Sequence, residues 1–304
     1  GAHSHGPDLR IGEDGRRDRL VIQPRRLARD HLRGDVALPV RLVRQHRLPG
    51  HVTEGEHDTN PMHCRKTQEN DPEWWKEARK GEAIHGGHSH LHDERELKAN
   101  MACYYGMVSF MDEEIGRILQ ALDRHGLAEN TLVVFSTDHG HFLGQHGLVA
   151  KAIHHYEDLL RVPFLVRWPA RVPAGMSSGA IQNLVDLSPT FLAAAGRDMP
   201  GVMTGVNQLD TWSGGEAART WSVTENHHTR TRFHMRTYVN ERHKITVYRH
   251  GDEGELFDLQ EDPGEVRNLW SDPSATELKT RLLHEFMQAT LQYEPMRMPR
   301  ITGA

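Results

Sequence analysis

The sequence predicts an α/β protein: a layered sheet with helices on both faces, joined to a small C-terminal antiparallel subdomain. Three observations predict it. Residues 131–137, TLVVFST, are β-branched and apolar on both faces, as a strand inside a helix-covered parallel sheet must be. Shortly before it, Val108, Met111, Ile115, Ile118 and Leu122 recur at steps of three and four, which makes one helical face apolar. From about residue 221 the text becomes short strand-like runs separated by polar turns, an antiparallel pattern.

Taken in order, residues 1–50 stand apart. They hold eleven Arg and no Lys, with weak periodicity and no helix caps. A basic arm is one reading, and basic arms bind polyanions. A GC-rich stretch read out of frame is the other, and Arg without Lys fits it better. Residues 51–212 carry the α/β pattern and residues 213–304 the small sheet with a closing helix. Within 51–97 the chain is polar and includes Trp74, Trp75 and the cluster His85, His88, His90 and His92. That spacing matches no closed ligand set, so a solvated loop near the mouth of a site is the reading.

The helix that follows keeps Asp112, Glu113, Glu114, Arg117 and Asp123 largely off its apolar stripe, and Gly126 is a natural stop. Residues 162–168 read as a second buried strand, ended by Pro169. Ser188 is then a candidate cap, Pro189 suits a first helical turn, Gly196 closes it, and residues 191–195 are expected in the core. Residues 221–224, 236–239, 244–248 and 256–259 are four short strands, and 276–291 a closing helix.

The chemistry concentrates where the first strand ends. Asp138, His139 and Gly140 leave its carboxyl edge together, and in open α/β sheets ligands bind at that edge. A carboxylate and a neutral imidazole both ligate divalent cations, and glycine lets the chain turn away without a clash. Thirteen residues after Asp138, Lys151 offers a compact positive charge suited to an anionic oxygen. Metal, cation and sheet edge together describe a site for a tetrahedral oxyanion. The bland alternatives are strand-end capping for Asp138 and His139 and a solvated surface position for Lys151. His155 faces either the pocket or the surface, and His141 and His146 read as structural or rim residues.

This stretch resembles the sulfatase family of the alkaline-phosphatase superfamily. The resemblance rests on the strand into Thr-Asp-His-Gly, then Gly-Gln-His-Gly-Leu, Ala-Lys and Tyr-Glu-Asp-Leu-Leu-Arg-Val-Pro-Phe, in that order. MVSFMDEEIGRIL and GELFDLQEDPGEVRNL, on either side, resemble further family segments. It implies an alkaline-phosphatase-like layered sheet and hydrolysis of small sulfate esters. Asp138 and His139 would be ligands of Ca²⁺, Mg²⁺ or Mn²⁺, Lys151 would hold the sulfate, and His155 is a candidate substrate contact. A His at the position of His139 is shared with relatives that hydrolyse phosphonate monoesters and phosphodiesters.

Family members take their nucleophile from a C/S-x-P-x-R motif, whose Cys or Ser is oxidised to formylglycine. Neither Cys64, Cys103 nor any Ser of this chain begins such a motif. The family's first metal-binding aspartates also have no counterpart. The expectation is therefore a C-terminal portion with half a site. It has no turnover alone, and it associates or aggregates through exposed sheet edges, with a homo-oligomer among the outcomes. A catalytically dead, anion-binding remnant is the alternative of another class.

Composition narrows the partners. The 304 residues hold 37 Lys and Arg against 42 Asp and Glu, a formal charge of −5, so nucleic acid is not expected. No run approaches the roughly 20 apolar residues of a membrane helix. Two Cys do not make a disulfide framework, which favours a cytoplasmic setting. The first residue is Gly1, so a signal peptide cannot be judged.

Overall fold

The computed structural model describes residues 55–61, 94–151, 153–228 and 233–293, all within the compact unit Val36–Ala304. The Arg-rich segment 1–50, Cys64, Trp74, Trp75 and the His85–His92 cluster lie outside the described residues.

The described chain opens on a long helix, α1 (Glu94–Arg124). It ends as expected at Gly126, whose φ of +65° only glycine adopts without cost. Gly126 N–H donates to Asp123 and Leu127 N–H to Leu122, a closed pair of capping bonds. The strand β1 (Val133–Phe135) follows, then β2 (Phe142–Leu143), β3 (Val149–Ala150), a single helical turn α2 (Glu157–Leu160) and β4 (Leu165–Arg167).

Two expectations are corrected here. β1 was expected in a parallel sheet, but its partner among the described residues is β4, antiparallel, with Val134 opposite Val166. Parallel neighbours require a crossover element, commonly a helix of three or more turns. The link from β1 to β4 instead holds the antiparallel β2–β3 hairpin and one helical turn, so the chain returns in the opposite direction. The α1 stripe was expected to face a core. Ile118 is 62% exposed, Val108 and Met111 are also exposed, and Phe110, beside the stripe, is 67% exposed. Ile115 and Leu122 of the stripe are half-buried, so among the described residues it is only partly covered.

The next helix, α3 (Leu187–Ala194), is entered from a 3-10 turn at Leu184–Asp186. Its N-cap is Asp186, with Ser188 already inside, so the expected cap is displaced by two residues. The reason is the capping box that Asn183 and Asp186 form one turn earlier. Gly196 closes the helix as expected, with Arg197 N–H on Leu192 and Gly196 N–H on Ala193. Phe191, expected in the core, is exposed. A short turn α4 (Leu209–Trp212) leads to the C-terminal part.

There the expected antiparallel sheet is present, in the order β5 (Trp221–His228), β6 (Phe233–Asn240), β7 (His243–Tyr248), β8 (Gly254–Asp258). The closing helix α5 (Thr276–Tyr293) packs on it. Side chains alternate between faces along each strand. Val223, Tyr238, Ile245 and Leu256 stand in one register row and meet Leu282, Phe286 and Ala289 of α5. Phe257, from the opposite face, joins Phe142, Leu148, Tyr156 and Leu159. Full burial of each such side chain contributes about 1.5–3 kcal/mol. The sheet is thus clasped between α5 and the segment that follows β1, and that segment carries the candidate site.

Candidate active site

Gly140 decides how the end of β1 meets α2. Its N–H donates to Leu159 O at 2.7 Å, and a Cβ built on it would stand 1.9 Å from Asp158 O. Only glycine permits that approach. The consequence is that Asp138 and His139 are held on a short arch clamped to α2.

On that arch the predicted residues converge. Thr137 Oγ1 donates to Asp138 Oδ1 at 3.1 Å, and His139 N–H donates to the same oxygen at 3.0 Å. The Thr137 hydrogen bond, with His139 alongside, holds the Asp138 carboxyl below its ordinary value. Its other oxygen lies 3.5 Å from His139 Nε2, and the side chain is 80% exposed. His139 Nδ1 is 2.8 Å from Gly140 O, a carbonyl that can only accept. Nδ1 therefore carries the hydrogen, and Nε2 presents a lone pair outward. Lys151 Nζ stands 3.2 Å from that nitrogen and donates to it. A carboxylate, an imidazole lone pair and an ammonium thus share one exposed spot.

A divalent ion fits the first two groups. Oδ2 of Asp138 and Nε2 of His139 are close enough to bind one cation, and the Gly140 carbonyl fixes the imidazole tautomer a metal needs. The ammonium of Lys151 now occupies the imidazole lone pair, so the ion would turn it toward an anion. Asp138 and His139 still supply only two of the roughly six ligands an oxygen-rich site wants.

The rim is built from other histidines. His141 stacks on Tyr104 of α1 with centroids 5.1 Å apart, and burial, with His139 nearby, pushes its pKa down. His146 is structural: buried, stacked 3.7 Å from the ring of Tyr156, its Nδ1 2.7 Å from Glu56. His155 faces neither open pocket nor surface. It is 6% exposed, with Nδ1 2.7 Å from Thr237 Oγ1 of β6, and burial, then Lys244, push its pKa down to about 3.

Reading the sequence missed the clamp beneath. Lys244 of β7 is buried and ion-paired with Glu265 and, at 3.2 Å, with Glu157 of α2. Glu265 also accepts from Glu157 N–H at 2.5 Å. Burial raises Glu265 to about 7. Three charges sharing one buried place hold α2, and with it Gly140, on the sheet. No local pattern announces such a trio. The one signal is a charged residue, Lys244, the second of a strand whose other residues carry no acidic or lysine side chain.

Comparison with known proteins identifies the family. A family model described as Sulfatase matches residues 51–197, and one described as N-sulphoglucosamine sulphohydrolase, C-terminal, matches residues 144–292. The chain is similar to N-acetylglucosamine-6-O-sulfatase of Bacteroides thetaiotaomicron, 30% identical over 204 residues, covering 64% of this chain and 36% of that protein. Among solved structures, BT4656 in complex with its substrate D-glucosamine-2-N,6-O-disulfate is similar at a TM-score of 0.62 and 25% identity. That match covers 79% of this chain and 50% of the other. The phosphonate monoester hydrolase of Silicibacter pomeroyi shares the fold at a TM-score of 0.67 and 21% identity, covering 84% of this chain and 53% of that one. The chain thus spans about a third of the length of the curated relatives it matches, 36% for the sulfatase named above. Matched from residue 51 to residue 292 by two sulfatase descriptions and folded like solved relatives, the chain belongs to the sulfatase family of the alkaline-phosphatase superfamily, without its formylglycine motif.

Proposed function

We propose that Asp138, His139 and Lys151 form the metal-and-anion half of a sulfuric ester hydrolase site. The observation that carries it is their convergence: Asp138 Oδ2 and Lys151 Nζ lie 3.5 Å and 3.2 Å from the same imidazole nitrogen. Asp138 and His139 hold a Ca²⁺, Mg²⁺ or Mn²⁺ ion, which stabilises negative charge on the ester's oxygens when bound. Lys151 supplies a positive charge to the sulfate, and His155, its ring bonded to Thr237, positions the segment that carries Lys151. The substrate class is a small sulfate ester, the class named for the similar N-acetylglucosamine-6-O-sulfatase.

The test is a titration with Mn²⁺ followed by electron paramagnetic resonance, in which bound ion loses the free-ion signal. Binding strengthened by sulfate in the parent chain, lost in Asp138→Ala, and no longer responsive to sulfate in Lys151→Ala is the expected outcome. Equal binding and equal sulfate response in all three chains would sink the proposal. His139 favours one second reading, a phosphonate monoester or phosphodiester substrate. Replacing sulfate by methylphosphonate in the same titration separates the two, since the true anion class gives the larger response.

A further inference from the structure

The β5–β6 hairpin carries a second constellation. Its register pairs Val223 with Tyr238, Glu225 with Arg236 and His227 with His234, so these six residues share one face of the sheet. Near α5 that face is apolar, and Val223 and Tyr238 lie in the core beneath the helix. Two and four residues further along β5 it turns polar. Thr237, which meets His155, belongs to the other face. The polar patch is therefore separated by the sheet from Asp138, His139 and Lys151.

Glu225, His227 and His234 each offer a ligand atom there, and these atoms lie within 4.8 Å of one another. His234 Nε2 stands 2.7 Å from Glu225 Oε1, and the two imidazole rings stack with centroids 4.4 Å apart. A carboxylate only accepts, so in the neutral ring Nε2 carries the hydrogen and the lone pair falls on Nδ1. That Nδ1 is buried and has no hydrogen-bond partner among the described residues. An unsatisfied buried nitrogen costs free energy, and a cation taken up by this ring would relieve it.

We propose that Glu225, His227 and His234 bind a divalent transition-metal ion of the zinc type. Two imidazoles and one carboxylate are a donor set for zinc, nickel or copper, whereas Ca²⁺ and Mg²⁺ prefer oxygen throughout. Binding brings the His234 lone pair, a lone pair of His227 and a Glu225 oxygen onto the ion, and water completes the coordination at this exposed position. Side-chain rotation suffices, because Glu225 and His227 are exposed. Arg236 opposes it: its Nε lies 3.2 Å from Glu225 Oε2, and its charge repels a cation at that carboxylate. The ion would pin the two strands together at the end of this face, further along the hairpin from the α5 core.

The experiment titrates the full chain with Zn²⁺ in competition with a chromophoric chelator, in excess Ca²⁺ to saturate oxygen-rich sites. Any Zn²⁺ taken up by the histidines at 85–92 is common to every variant and cancels in the comparison. His227→Ala and His234→Ala are each expected to remove one equivalent, weakening it by more than the roughly 10–100-fold typical of losing an outer-shell partner. Arg236→Gln is expected to tighten the same equivalent, a result that a merely structural role would not give. An unchanged stoichiometry and affinity in all three variants would overturn the proposal. Should the histidine variants not fold, the parent chain decides. Zn²⁺ then protects His227 and His234 from acylation by diethyl pyrocarbonate if the site exists, and leaves both as reactive as without metal if it does not.

Discussion

Gly140 and His155 show how much of the site depends on single residues. A methyl group at Gly140 would meet the Asp158 carbonyl, which belongs to backbone and cannot rotate away. Gly140→Ala is therefore expected to cost about 1–3 kcal/mol and to loosen the arch bearing Asp138 and His139. Chemical denaturation gives the first quantity and Mn²⁺ affinity the second; a variant that matches the parent in both refutes the clamp. His155 supplies a pH dependence. Its pKa falls from the ordinary 6.5 to about 3 on folding, so between those values the unfolded chain binds the extra proton. Stability contributed by the neutral ring is complete above about pH 6.5 and is lost as pH falls toward 3, with a slope of at most about 1.4 kcal/mol per pH unit. His155→Gln should flatten the stability curve by about that slope, measured by denaturant melts from pH 7 to pH 4. An unaltered slope would mean that His155 is not held neutral. At this scale the grouping of Asp138, His139 and Lys151 was legible from residue type and order alone. His155 was not, because burial is a property of what packs on a residue and not of its neighbours in sequence.

Among the elements, α1 and the C-terminal sheet behave in opposite ways. The sheet's alternation was legible because each of its faces is buried against something: Ile245 and Leu256 against α5, Phe257 against Tyr156 and Leu159. The α1 stripe was equally legible as a helix, and its periodicity and Gly126 stop are both found, yet Val108, Met111 and Ile118 stay exposed, with Met107 and Phe110 beside them. A contiguous exposed apolar face promotes association. The chain is expected to self-associate at micromolar concentration, and Phe110→Gln with Ile118→Gln to shift it toward monomer without lowering the melting temperature. Sedimentation velocity reads the first, calorimetry the second; a parent chain that sediments as a monomer contradicts the expectation. Strand direction was not legible. An apolar run such as 131–137 says how buried a strand is and nothing of which way its partner runs, and β4 reaches it antiparallel because no long crossover helix intervenes.

For the whole molecule, the proposed site gathers Asp138, His139 and Lys151, and no Cys or Ser of the sequence begins the family's nucleophile motif. The purified 304-residue chain is accordingly expected to show no metal-dependent hydrolysis of an aryl sulfate, even with Mn²⁺ saturating. Turnover that disappears in Asp138→Ala would show that a nucleophile exists elsewhere in the chain. The sequence by itself determined the family, the α/β class, the four-stranded sheet with its closing helix, and the grouping of Asp138, His139 and Lys151. It could do so because period, cap chemistry and the order of short motifs are local properties. Tertiary structure alone decided that β1 pairs antiparallel, that Lys244 bridges Glu157 and Glu265 beneath α2, and that His155 is sealed against Thr237. It also brought Glu225, His227 and His234 together across a hairpin. Each of these is a meeting of residues distant along the chain or on facing strands, set by packing and register, and such meetings leave no periodic trace in the sequence.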